Sequence, residues 1–85
     1  MKELLINIYC PSASKSYDFW IPKNITAKQA IELICEDITG VENNNDIFSD
    51  PESLLLCSYQ KGKTLPMEFT LEQFGIRSGD RLALV

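Results

Sequence analysis

Apolar and polar residues alternate in two stretches near the start of the chain, then give way to a three- and four-residue rhythm. From Glu3 to Tyr9, Leu4, Ile6 and Ile8 fall on one side and Leu5, Asn7 and Tyr9 on the other. From Lys15 to Ile21, Tyr17, Phe19 and Ile21 oppose Ser16, Asp18 and Trp20. A period of two predicts strands, and Pro11-Ser-Ala-Ser14 between them has turn composition, so the pair reads as a hairpin. Pro22 has no amide with which to continue the ladder. Beyond it Ala27, Ala30, Ile31, Ile34, Cys35, Ile38 and Val41 recur at helical spacing and make one apolar stripe. Thr26-Ala-Lys-Gln29 matches a capping box, in which hydroxyl and amide side chains satisfy first-turn backbone groups. Ile25 and Ala30 stand at the hydrophobic-staple positions. Gly40 is placed to end the helix as a left-handed cap, so the helix is expected from Ala27 to Thr39.

Val41 to Glu52 is rich in turn formers around one apolar pair, Ile47-Phe48, and reads as a mobile acidic loop pinned at its centre. Ser53 to Tyr59 reads as a strand whose register stays open, because Leu54, Leu55 and Leu56 offer an apolar residue to both faces. Lys61-Gly-Lys63 turns the chain back through Leu65. Thr70-Leu-Glu-Gln-Phe-Gly75 is a short helical turn, Ser78-Gly79-Asp80 a tight turn, and Arg81 to Val85 a closing strand. The expected class is α+β, with one helix covering one face of one sheet.

At 85 residues the chain has room for one small core and none for a cleft between lobes, which argues against an enzyme. The net charge of −4 is concentrated in the loop, where Glu42, Asp46, Asp50 and Glu52 have no Lys or Arg among them. The remainder balances 8 acids against 8 bases, so no basic face for nucleic acid or anionic lipid is expected. Cys10, Cys35 and Cys57 show no metal-ligand spacing, and the chain contains no histidine. Neither a zinc site nor a histidine-activated nucleophile is expected, and no catalytic residue or cofactor is assigned. An odd cysteine count favours small buried apolar residues in a reducing compartment. The apolar run at Leu4 is too short for a secretion signal, and no segment approaches a membrane span. The expected location is the cytoplasm. Asn24-Ile-Thr26 spells a glycosylation sequon but is better explained as a helix start.

Lys61-Gly-Lys-Thr-Leu65 followed by Thr70-Leu-Glu-Gln-Phe-Gly-Ile76 resembles the corresponding region of ubiquitin. The helix spacing and hairpin positions match as well, over nearly the whole chain apart from the 41–52 expansion. The resemblance implies a ubiquitin-like β-grasp, one domain over 1–85, with a mixed four- to five-stranded sheet and one main helix packed on one face. It also implies a core of Leu4, Ile6, Phe19, Ile31, Ile34, Leu65, Leu71, Ile76, Leu82 and Leu84. The closing string Phe74-Gly-Ile-Arg-Ser-Gly-Asp-Arg-Leu82 is most similar to the YukD/EsaB-type proteins, small bacterial ubiquitin-like proteins that accompany type VII (WXG100-substrate) secretion. Like them, the sequence ends without Gly-Gly, which disfavours a conjugated modifier or sulfur carrier. The implied function is a free-standing cytoplasmic accessory that binds a component of the secretion system. The alternative is a ubiquitin-like N-terminal domain of a larger membrane component of that system. The implied docking site is the sheet face opposite the helix, centred on the middle strands and holding Tyr59 and Val85, with the Cys10–Ser14 turn as an optional addition and Tyr9 and Trp20 outward on the first hairpin. The acidic loop is a second candidate. A monomer is expected.

Overall fold

A computed structural model describes residues 3–43, 47–48 and 50–85. Two strands, β1 (Glu3–Cys10) and β2 (Lys15–Pro22), pair antiparallel in full register from Glu3↔Pro22 to Cys10↔Lys15. Helix α1 (Ala27–Glu42) follows, then a 3-10 turn at Pro51–Ser53. Strands β3 (Leu56–Ser58) and β4 (Lys63–Thr64), the short helix α2 (Leu71–Phe74) and strand β5 (Arg81–Leu84) complete the order. The five strands form one sheet in the order β2-β1-β5-β3-β4, in which β1 and β5 are parallel and the other pairs antiparallel. The mixed sheet with one main helix is the expected α+β architecture.

The same local device starts both helices. The Thr26 hydroxyl accepts from the Gln29 amide at 3.2 Å while the Gln29 side-chain oxygen accepts from the Thr26 amide at 2.9 Å. Thr70 and Gln73 repeat this at 3.0 and 2.9 Å. The two boxes lie back to back, since Thr26 and Thr70 form a β-bridge, Ala27 N–H donates to Phe69 O and Leu71 N–H donates to Ile25 O. First-turn amides, unpaired within any helix, are thus satisfied by another segment of chain. α2 stops at Gly75, whose φ of 86° favours glycine.

Ala27, Ala30, Ile31, Ile34 and Ile38 of α1 are buried, as are Ile6, Ile8, Leu82 and Leu84 of the central strands. Leu65, Leu71 and Ile76 are buried as expected, whereas Leu4 and Phe19 are half-buried at the margin. Phe48 is buried and Ile47 packs beside it, so the apolar pair does anchor the segment after the helix. No helix among the described residues is long and apolar enough to cross a membrane.

Three expectations need correction. The helix does not end at Gly40 but runs to Glu42, and Asn43 takes the left-handed cap at φ 53° with its amide donating to Gly40 O and Thr39 O. Asparagine tolerates this conformation almost as glycine does, so either residue could have ended the helix. Val41 does not belong to the buried stripe: it is 74% exposed, because α1 continues a turn beyond its last buried residue, Ile38. The expected strand over Ser53 to Tyr59 shrinks to three residues, preceded by the 3-10 turn, with Leu56 inward and Leu55 outward. The loop therefore begins after the helix rather than at Val41, and its 44–46 and 49 positions, Asp46 included, lie outside the described residues.

The extra helical turn changes the role of Glu42. Its carboxylate accepts from the Tyr17 hydroxyl at 2.7 Å and from Lys15 Nζ at 3.0 and 3.2 Å, clasping β2 to the end of α1. The Tyr17 hydroxyl and then the Lys15 ammonium hold this carboxyl below its usual range. Burial first, and the neighbouring Glu42 next, push the Tyr17 phenol up to about 12. A depressed carboxyl stabilises the fold above its unfolded pKa and loses that contribution as pH falls through the folded value. A raised phenol contributes below its unfolded pKa of 10.0 and loses that contribution as pH climbs toward 12. Tyr17→Phe is therefore expected to lower the melting temperature at pH 7 and to leave it unchanged in acid once Glu42 is protonated. Melting curves across pH test this, and an equal deficit at all pH values would show that Tyr17 contributes only packing.

Candidate protein-interaction face

Strand register arranges the sheet's exposed face in rows. β1 and β2 place Leu5 opposite Trp20, Asn7 opposite Asp18 and Tyr9 opposite Ser16. β5 continues the rows with Arg81 beside Asn7 and Ala83 beside Tyr9. β3 adds Cys57 beside Ala83, and β4 adds Thr64 beside Cys57. Leu55 and Val85 exchange backbone hydrogen bonds of 2.7 and 2.9 Å and supply the next row. Beyond the other end of β3, the Tyr59 amide donates to Arg81 O, and the Arg81 guanidinium lies 5.8 Å from the Tyr59 ring centre.

A half-buried centre of Ala83 and Cys57 is thereby ringed by Tyr9, Tyr59, Leu55 and Val85. Tyr59 is 52% exposed, Val85 50% and Tyr9 37%. Inward-pointing Leu56, Ser58, Leu82 and Leu84 are buried, so alternation forces their neighbours outward. A shallow depression of about 270 Å³, lined by Cys57, Tyr59, Lys63, Thr64 and Ala83 among others, opens beside the ring. Arg81, paired with Asn7, gives this side of the face a positive charge.

Of the four residues expected at the site, the fold brings Tyr9, Tyr59 and Val85 together and leaves Trp20 apart. Trp20 is 58% exposed on the edge strand, two rows from Tyr9. At ~3.3 Å per residue that is about 13 Å along the strand. The polar pair Asn7–Asp18, whose side chains hydrogen-bond at 3.0 Å, lies between them. Leu55, Cys57, Ala83 and Arg81 belong to the face but were not assigned to it from sequence: three consecutive leucines concealed the register of Leu55 and Cys57, whereas alternation from Val85 already implied Ala83 and Arg81. The pairing of β3 with β5 would have revealed the first two.

The cysteines are distributed as small apolar residues would be. Cys10 and Cys35 are buried, and Cys57 is half-buried on the exposed face with its sulfur 3.4 Å from the Thr64 hydroxyl oxygen. Burial, with Cys10 nearby, pushes the Cys35 thiol up to about 11, which keeps it protonated at neutral pH. No cluster of three or more metal-ligating side chains occurs among the described residues.

No protein-family model and no curated protein matches the chain. Solved structures do match it. The EccD5 ubiquitin-like domain from Mycobacterium xenopi superposes with a TM-score of 0.73 at 15% identity, over 100% of this chain and 94% of that one. A chain from a structure on the molecular mimicry of SUMO in DNA repair gives 0.79 at 19% identity, over 100% and 92%. A chain of the toluene 4-monooxygenase HD complex also gives 0.79, at 8% identity over 98% and 96%. At such identities the likeness is one of fold alone, and it agrees with the strand order, the parallel central pair and the single main helix. The chain has the ubiquitin-like β-grasp fold.

Proposed function

We propose that this protein is a non-enzymatic interaction module that docks a protein partner on the exposed face of its sheet. The observation that carries the reading is the ring of Tyr9, Tyr59, Leu55 and Val85 around Ala83 and Cys57, opposite the helix. Aromatic and aliphatic side chains gathered on one exposed face, with arginine beside them, have the composition of interface centres. The YukD/EsaB-like closing string from Phe74 to Leu82 supports a cytoplasmic accessory of type VII secretion, with a component of that machinery as the partner. A second reading, a ubiquitin-like domain within a larger secretion component, is supported by the presence of the EccD5 ubiquitin-like domain among the structural neighbours.

Isotope-labelled protein titrated with soluble domains of a type VII machinery tests both halves of the proposal. Amide shifts centred on Tyr9, Tyr59, Ala83 and Val85 are expected. Binding with shifts confined to the helix side would move the site elsewhere, and no binding to any component would remove the secretion assignment.

A further inference from the structure

On the helix side, away from the sheet face, lies a second concavity. It is a groove of about 560 Å³ between α1 and the segment connecting β4 to α2, closed at one side by Glu52 of the 3-10 turn. Its floor is apolar, made by buried Ile31 and half-buried Met67. Its rim carries Glu32, Glu52 and Glu68 against a single cation, Lys28. These carboxylates come from three separate segments, and the ion pairs among the described residues, Lys15–Glu42 and Lys23–Glu72, use none of them. The walls are held in place before anything binds. The amides of Ala27 and Lys28 donate to Phe69 O and Met67 O at 2.8 and 3.1 Å, and the 3-10 turn packs against α1. Holding the walls in advance removes ordering cost from binding.

We infer that this groove is a second docking site, for an extended segment of a partner protein in which Lys or Arg residues flank an aliphatic side chain. The aliphatic group covers Ile31 and Met67, and the flanking cations meet Glu32, Glu52 and Glu68. Charge complementarity selects this occupant. An acidic or phosphorylated segment would face three carboxylates offset by one cation, and like-charge juxtaposition at an interface is strongly unfavourable. A wholly polar basic segment would leave the floor uncovered. Because groove and sheet face lie on opposite sides of the fold, both can be filled at once, which would let one small domain bridge two proteins.

The test uses the full chain and a blocked peptide, Arg-Leu-Lys-Ile-Arg, followed by amide shifts. Saturable shifts at Lys28, Ile31, Glu32 and Met67 are expected, with Tyr9 and Tyr59 undisturbed. The combined change Glu32→Lys and Glu68→Lys is expected to weaken binding about tenfold or more. The milder pair Glu32→Gln and Glu68→Gln should weaken it less and serves if charge reversal perturbs folding. Replacing Leu and Ile of the peptide by Ser should also abolish saturable binding. The inference is overturned if spermidine binds as tightly as the peptide, or if the Ser peptide binds equally. Shifts spread over Glu36, Asp37 and Asp18 as strongly as over the groove would overturn it too, since they would report diffuse charge attraction. The sheet-face proposal survives each of these outcomes.

Discussion

Tyr59→Ala is expected to weaken docking of the sheet-face partner by more than tenfold and to leave the melting temperature almost unchanged. Tenfold corresponds to about 1.4 kcal/mol, and an aromatic anchor buried at an interface centre typically costs ~2 kcal/mol or more when truncated. Tyr59 is suited to that part. Its ring is half exposed, stands on a turn outside the core and already lies against the Arg81 guanidinium at 5.8 Å. That contact is exposed and contributes at most about 1 kcal/mol to the free protein. Titration calorimetry of Tyr59→Ala alongside Phe69→Ala provides the comparison, because Phe69 is also large and exposed but belongs to the segment before α2. If Phe69→Ala loses the partner while Tyr59→Ala retains it, the docking face is on the helix side. Trp20→Ala should have the smaller effect among the exposed aromatics of the sheet, since Asn7 and Asp18 separate it from the ring.

Ile34→Ala is expected to cost about 2–5 kcal/mol, the range for emptying a buried aliphatic position. Ile34 has no exposure and sits mid-way along the stripe that α1 turns to the sheet. A domain of this size has ~4–13 kcal/mol of total stability, so the loss is a large share of it. Val41→Ala, at the exposed end of the same helix, should change stability by less than ~0.5 kcal/mol. Urea unfolding of the two variants tests the pair together. A loss below ~1 kcal/mol at Ile34, or equal losses at both positions, would contradict the packing of α1 on the sheet.

Much of the fold was legible because its signals are local. Alternation specified the first hairpin, since a strand with one buried face needs a period of two. Thr26 with Gln29 marked the start of the main helix, because a capping box is completed within four residues, and the same device at Thr70 and Gln73 emerged with the structure. Where the deciding interaction was distant, local pattern failed. Gly40 and Asn43 could each adopt a left-handed cap, and the longer helix is the one that carries Glu42 to Tyr17 and Lys15 on β2. Leu54, Leu55 and Leu56 satisfy either register equally, and the choice came from pairing with β5, where Leu56 meets Leu84 and Leu55 meets Val85.

The sequence by itself thus determined which residues of the hairpin point outward, Tyr9 and Trp20 included, and where each helix begins. Only the tertiary structure decided which exposed residues are neighbours. Tyr9 and Tyr59 share a surface because β5 inserts between β1 and β3, parallel to one and antiparallel to the other, and brings Ala83 between Tyr9 and Cys57. Trp20 falls outside that surface although it lies closer to Tyr9 in sequence. The reason is geometric: alternation is a property of one strand, whereas a surface is made by the register between strands, which long-range backbone hydrogen bonds set.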